Sequence, residues 1–257
     1  MTEQQRWPER LWIVRHGESA GNVAREAATL AGLAVIDIVE RDVDVPLSVT
    51  GQRQSEALGR WFAAMPASAR PNVVLTSPYL RARHTAALIE AAGGVVPGAV
   101  TSVDERLREK EFGILDRLTR LGIGQRHPEQ AEQRALLGKF YHRPPGGESW
   151  CDVILRLRSA LDTISLHHSG PESRVLIVAH QVIVLCLRYL LEGMTEDQIL
   201  AIDREGDVAN CGVTSYSFNP ALGHDGGLQL RSYNFVAPLE DAGAPVTTEP
   251  DAPVAAR

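Results

Sequence analysis

Arg15-His16-Gly17-Glu18-Ser19 follows the apolar run Leu11-Trp12-Ile13-Val14, Ser77-Pro78-Tyr79-Leu80-Arg81 follows Val73-Val74-Leu75-Thr76, and His180-Gln181 follows Val175-Leu176-Ile177-Val178-Ala179. Two arginines and two histidines brought to one place suit a phosphoryl group. Guanidinium forks match its oxygens bidentately and stay charged, whereas lysine offers a less directional point charge. Gly17 leaves room for the backbone to approach a ligand closely. Ser77-Pro78 reads as a helix cap with proline at the first helical position, which puts Arg81 in the first turn, where exposed N–H groups and the dipole favour an anion. Each residue alone is a weak signal, because Arg-His-Gly recurs by chance and a histidine after a buried strand is usually a core or surface residue. Arginine also supplies 24 of the 26 basic residues, so an arginine counts only where its position is informative. The weight comes from all four falling just after three apolar runs.

The elements that must position them follow from periodicity. Short continuous runs rich in β-branched residues predict strands buried on both faces, hence parallel strands in a covered sheet. Between them, Leu58, Trp61, Phe62 and Met65 fall at i, i+3, i+4 and i+7, and Trp150, Val153, Ile154, Leu157, Leu161 and Ile164 form a stripe over four turns; both predict core-facing helices. Ser149, with Asp152 three residues on, predicts the start of the second. The alternation predicts an α/β domain, doubly wound, with a mostly parallel central sheet flanked by helices and closed by strands near 212–218 and 228–234. Ligands of such sheets collect at the carboxyl ends of the strands. The less regular stretch 113–148, ending in Arg143-Pro144-Pro145-Gly146-Gly147, reads as a cap inserted over one sheet edge. The domain is expected to span 1–238. After Pro238 the sequence turns to Ala, Pro, Thr and acids, and 239–257 is expected to be a flexible tail.

Composition narrows the classes. The chain has 257 residues, 44% hydrophobic and 23% charged, with a net charge of −6 and a pI of about 5.8. No electrostatic footprint for nucleic acid or an anionic membrane is present at the level of the whole chain. Cys151, Cys186 and Cys211, odd in number and widely spaced, predict reduced thiols and a cytoplasmic protein rather than a disulfide framework. Residues 1–10 lack the apolar core of a secretory signal. The apolar stretch 175–191 is interrupted by His180, Gln181 and Arg188, and reads as a buried strand followed by a packed helix rather than a membrane span. The eight histidines form no HxxxH or HExxH pair, and P-loop and dinucleotide glycine fingerprints are missing, so neither metal nor cofactor is expected.

Val14-Arg15-His16-Gly17-Glu18-Ser19 with Asn22 resembles the signature of the histidine phosphatase superfamily, the branch that includes phosphatases and phosphoglycerate mutases. Further matches follow in order: Pro46-Leu47-Ser48 with Thr50, Gly51 and Gln54; Thr76-Ser77-Pro78 with Arg81, Thr85 and Ala86; Leu107-Arg108-Glu109 with Phe112 and Gly113; and Val178-Ala179-His180. The resemblance spans 11 to about 234. It implies a phosphoglycerate mutase-like fold and a cofactor-independent reaction on a phosphorylated small molecule. His16 would be the nucleophile, and Arg15, Arg81 and His180 would hold the phosphoryl oxygens. Glu109 would be the proton donor, and Asn22 and the amide of Gln181 would be further phosphate contacts. Glu111 competes for the donor role, and Asp37, Asp42 and Asp44 match no role.

Two departures bear on the reaction. Mutases of the family clamp a substrate carboxylate with a lysine and two adjacent arginines in the insertion, and no adjacent arginines occur here, so the resemblance favours phosphomonoester hydrolysis over mutase chemistry. Lys139, Tyr141, His142 and Arg143 are candidates for the pocket mouth. His180-Gln181 replaces the His-Gly of many members and is similar to the fructose-2,6-bisphosphatase group, which keeps sugar bisphosphates among the candidate substrates. A catalytically silent phosphate-binding module ranks below the enzyme, because every reactive position is filled.

Overall fold

The computed structural model describes residues 5–249. In chain order the regular elements are β1 (Pro8–Arg15), α1 (Ala20–Leu30), α2 (Val49–Ala63), β2 (Val73–Thr76), α3 (Leu80–Ala91) and β3 (Val100–Val103). They continue with α4 (Arg120–Arg126), α5 (Pro128–Tyr141), α6 (Trp150–His167), β4 (Gly170–Ala179) and α7 (Gln181–Leu191). The last are α8 (Glu196–Glu205), β5 (Val213–Asn219), β6 (Gly227–Phe235) and α9 (Ala237–Asp241).

One six-stranded sheet has the order β3-β2-β4-β1-β5-β6. Parallel ladders join β3 to β2, β2 to β4 and β4 to β1, whereas β5 runs antiparallel to both β1 and β6. Side chains alternate across a strand, and that alternation builds the two layers. Leu11 and Ile13 of β1, with Val175 and Ile177 of β4, face a core made with α6 and α7; Trp12 and Val14, with Leu176 and Val178, face a second core made with α2 and α3. The doubly wound, mostly parallel α/β sheet read from the sequence is therefore the observed architecture. The stripe on α6 is buried from Trp150 to Ile164, each large apolar side chain contributing roughly 2 kcal/mol relative to exposure. Ser149 and Asp152 close a reciprocal capping box at its start.

The chain enters the sheet at β1, crosses to β2 and β3, and returns to insert β4 between β2 and β1. The carboxyl ends of β1, β2 and β4 consequently lie side by side. The insertion 113–148 contributes α4 and α5. Its ends meet where Phe112 bridges Gly147, and Leu115, Leu118 and Ile123 pack with Val35 and Phe112 as a small separate cluster.

Three features differ from the sequence reading. The edge strand β3 was not expected: its four residues are all exposed, so no apolar alternation marks it. Helix α3 begins at Leu80, not at Pro78, because the backbone of Tyr79 is extended; the Ser77 hydroxyl accepts from the Tyr79 amide and also bonds His180. The packed body also continues past 238. Leu239 of α9 is fully buried among residues of α2, and Ala244 packs against the same cluster, so one leucine suffices to dock the start of the stretch expected to be a tail. Of that stretch, 250–257 lies outside the described residues.

Candidate active site

The Arg15–Ser19 turn is built by backbone bonds to residues far away in the chain. The His16 amide donates to the Ala179 carbonyl (2.9 Å), and the Cys211 amide donates to the Arg15 carbonyl (3.0 Å). Asn210 Nδ2 donates to the His16 carbonyl (3.1 Å), the Gly17 amide to Thr85 Oγ1 (3.0 Å) and the Glu18 amide to Gln54 Oε1 (2.8 Å). These backbone groups are paired in a buried setting, where an unmade bond costs about 1–3 kcal/mol. Gly17 is needed here for a reason other than ligand approach. A Cβ on it would lie 2.4 Å from the Gly51 carbonyl oxygen, and one on Gly51 would lie 2.0 Å from the Glu18 carbonyl oxygen. The two glycines let the turn sit on the first turn of α2.

His16 is fully buried, and its two ring nitrogens are distinguished by their partners. Nδ1 lies 2.6 Å from the Gly17 carbonyl oxygen, and Arg81 Nε lies 3.2 Å from Nε2. A carbonyl can only accept and a guanidinium N–H can only donate. The ring is therefore the neutral tautomer with its proton on Nδ1 and its lone pair on Nε2, the form a nucleophile needs. His180, also fully buried, packs edge-on at a centroid distance of 5.1 Å from His16, and its Nε2 lies 2.7 Å from Ser77 Oγ.

Arg81, in the first turn of α3, is 2% exposed and reaches Asp42 as well as His16: Nη1 donates to Asp42 Oδ1 (2.9 Å) and to its carbonyl oxygen (2.6 Å). Asp42 thus orients the guanidinium. Arg15 is fully buried, with Nη1 on the Val208 carbonyl (2.6 Å) and Nη2 on the Glu249 carbonyl. Asn22 caps α1 through Ser19 and donates Nδ2 to that same Glu249 oxygen (3.1 Å). Gln181 opens α7, and its side-chain amide donates to Asp207 (2.6 Å).

The two candidate acids are separated by environment. Glu109 is 1% exposed and accepts from the Lys110 amide (2.7 Å); Glu111 has a half-exposed side chain and accepts from the Tyr79 hydroxyl (3.0 Å). Burial, followed by the nearby Asp42 and Glu111 carboxylates, pushes the Tyr79 phenol up, so it stays a donor. Burial lowers the Lys110 ammonium to about 8.

The strand ends therefore gather Arg15, His16, Arg81 and His180, with Asn22 beside Arg15. Asp42, Ser77, Gln54 and Asn210 also serve this site and were given no such role from the sequence. Ser77 and Gln54 stood inside the quoted motifs and were traceable; Asp42 and Asn210 carry no local signal. Of the pocket-mouth candidates, Lys139 pairs with Asp203, Arg143 pairs with Asp152, Tyr141 is exposed and His142 is buried. A cavity of about 50 Å³ lined by Asn22, Arg25, Asp42 and Arg81 opens beside the cluster. A second, of about 500 Å³, lies between α1 and α4 and is lined by Leu30, Leu33 and Leu121. Among the described residues no group of three or more metal-ligating side chains is found, and no helix is long and apolar enough to cross a membrane.

A family model described as the histidine phosphatase superfamily (branch 1) matches residues 11–232. A 6-phosphofructo-2-kinase/fructose-2,6-bisphosphatase of Caenorhabditis elegans is 30% identical over 181 residues, 70% of this chain; the chain spans only 33% of that relative. The probable phosphoglycerate mutase GpmB of Photorhabdus laumondii is 28% identical, covering 82% of this chain and 87% of its own length. Among solved structures, Bacillus stearothermophilus YhfR superposes with a TM-score of 0.68 at 26% identity, over 90% of this chain and 98% of that one. A mycobacterial glucosyl-3-phosphoglycerate phosphatase in complex with VO3 gives a TM-score of 0.67 at 24% identity, over 88% and 99%.

Proposed function

This chain belongs to branch 1 of the histidine phosphatase superfamily, and from that premise we propose that it hydrolyses phosphomonoesters of small metabolites through a phosphohistidine on His16. The observation that carries the reading is the state of the His16 ring. With Nδ1 bonded to the Gly17 carbonyl, the lone pair on Nε2 faces the guanidinium of Arg81. A phosphoryl group entering there would take the N–H of Arg81 on one oxygen and leave Nε2 to attack phosphorus in line. The phosphorus–oxygen ester bond breaks as the phosphorus–nitrogen bond forms. Arg15, Arg81 and His180 balance the charge that spreads over the remaining oxygens.

Glu109 is assigned the proton chemistry: it gives its proton to the departing alkoxide, then takes one from the water that attacks the phosphohistidine and restores His16. Of the two acids Glu109 is the buried one, whereas Glu111 is half-exposed and held by Tyr79. Glu109→Gln is expected to slow alkyl phosphates by roughly 10²–10³-fold and p-nitrophenyl phosphate, whose leaving group needs little protonation, far less. The ratio of the two kcat/KM values checks it. The same split in Glu111→Gln instead would move the donor to Glu111.

The reaction class is tested by phosphate release from p-nitrophenyl phosphate, 3-phosphoglycerate, sugar mono- and bisphosphates and a phosphopeptide, with and without chelator. Chelator-resistant release from the small monoesters is the expected result. Isomerisation of phosphoglycerate without release would replace hydrolysis by mutase chemistry, which the name of the Photorhabdus laumondii relative describes for that protein. Binding of phosphate without turnover would replace it by a silent module.

A further inference from the structure

Residues 245–249 lie along the active site in an extended alternation. The Pro245 carbonyl accepts from Gln54 Nε2 (2.8 Å), the Thr247 carbonyl accepts from the Asn210 amide (2.9 Å), and the Glu249 carbonyl accepts from Arg15 Nη2 and Asn22 Nδ2. Every second carbonyl faces the protein, while Val246 and Thr248 between them are exposed. This is the period of a β-strand laid on a receptor. One side chain adds to it: Thr247 Oγ1 accepts from Gln54 (2.9 Å) and donates to Asn210 Oδ1 (2.9 Å). Upstream, buried Leu239 in α9 anchors the segment on α2.

We infer that Gln54, Asn210, Arg15 and Asn22 form a binding groove for an extended polypeptide, that its occupant is this chain's own 245–249 segment, and that segment and phosphate exclude one another. The inference rests on the reading of Arg15 and Asn22 as phosphate ligands. The exclusion is one of shared donors. Arg15 Nη2 and Asn22 Nδ2 converge on a single neutral oxygen, that of Glu249, where the resemblance places oxygens of the phosphoryl group. A phosphate dianion makes charge-assisted bonds to the guanidinium that a peptide carbonyl does not. Phosphate and segment therefore compete for the same donors, and the competition appears as a reduced phosphate affinity set by the fraction of molecules with the groove open. The hydrogen bonds to 245–249 fall on backbone carbonyls and on the Thr247 hydroxyl.

The test compares the full chain, a chain ending at Ala244 that keeps α9, and Thr247→Val in the full chain. Thr247→Val keeps the shape of the side chain and removes the hydroxyl, and it keeps the inference falsifiable where the truncated chain fails to fold. Binding of inorganic phosphate is measured by calorimetry and hydrolysis of p-nitrophenyl phosphate by steady-state kinetics. Truncation is expected to tighten phosphate binding and lower KM by about tenfold, and Thr247→Val by about threefold, with kcat within about twofold in both. A synthetic peptide of residues 245–257 added to the truncated chain is expected to raise KM and leave kcat unchanged. Equal phosphate affinity in all three proteins overturns the inference, as does a fall in kcat with a rise in KM, which would make the segment a wall of the working site. Absence of phosphate binding in every form would instead overturn the reading of Arg15 and Asn22 on which the inference stands.

Discussion

His16→Ala is expected to lower turnover by about 10⁴-fold or more while the protein folds. The two halves of that expectation have separate physical origins. The proposed reaction needs a lone pair aimed at phosphorus, and the Gly17 carbonyl on the far side of the ring and Arg81 in front hold Nε2 of His16 for it. Alanine removes the bond-forming atom, and Nε2 of the neighbouring His180 is engaged with Ser77. The fold, by contrast, uses the backbone of this residue. The His16 amide pairs with Ala179 and its carbonyl accepts from Asn210, and both bonds survive the substitution. The lost packing against His180 costs an amount typical of a single buried substitution, about 1–3 kcal/mol. Phosphate release and the denaturation midpoint, measured on the same preparation, check both parts. Wild-type protein quenched during turnover should carry acid-labile phosphate that His16→Ala lacks. A folded variant with near wild-type turnover would sink the mechanism.

Arg81→Ala should cost roughly 10²–10³-fold in kcat, and Arg81→Lys should recover little of it. Arg81 uses its fork in two directions, Nε toward His16 and the terminal nitrogens toward Asp42. A lysine supplies one compact charge and cannot keep both bonds. Removing the guanidinium also leaves the Asp42 carboxylate facing the phosphate site, so the alanine variant adds repulsion to the loss of attraction. A stability cost accompanies this: Asp42 is 40% exposed but Arg81 only 2%, so the alanine variant loses a buried side chain as well as a half-exposed pair, worth about 1–3 kcal/mol. Parallel measurements of kcat, KM and the unfolding free energy separate these effects. Full recovery by lysine would show that charge alone matters and that the forked geometry does not.

Much of this site is legible in the amino-acid order, for a reason that also sets its limit. Burial of a strand or helix leaves its period in consecutive residues, so the runs 11–14, 73–76 and 175–179 and the stripe on α6 disclose the doubly wound sheet, and the strand ends disclose Arg15, His16, Arg81 and His180. Capping is equally local, as Ser149 and Asp152 show. The choice between Glu109 and Glu111 is not local. Two residues apart in one charged run, they differ because the fold buries the first and leaves the second half-exposed. Asp42 binds Arg81 across 39 positions, Asn210 holds His16 across 194, and Glu249 meets Arg15 across 234. Such one-to-one polar contacts impose no period on their neighbours, because one carboxylate or carbonyl suffices wherever the chain happens to pass. Residues 245–249 show this most plainly. Their composition is that of a solvated tail, yet the position of α9 on α2 delivers their carbonyls to the donors at the end of β1. The sequence by itself determined the layers and which arginines and histidines meet at the strand ends. The tertiary structure decided which acid is buried, which carboxylate steadies Arg81 and what lies against Arg15, because those depend on the path of the chain through space and not on the order of its neighbours.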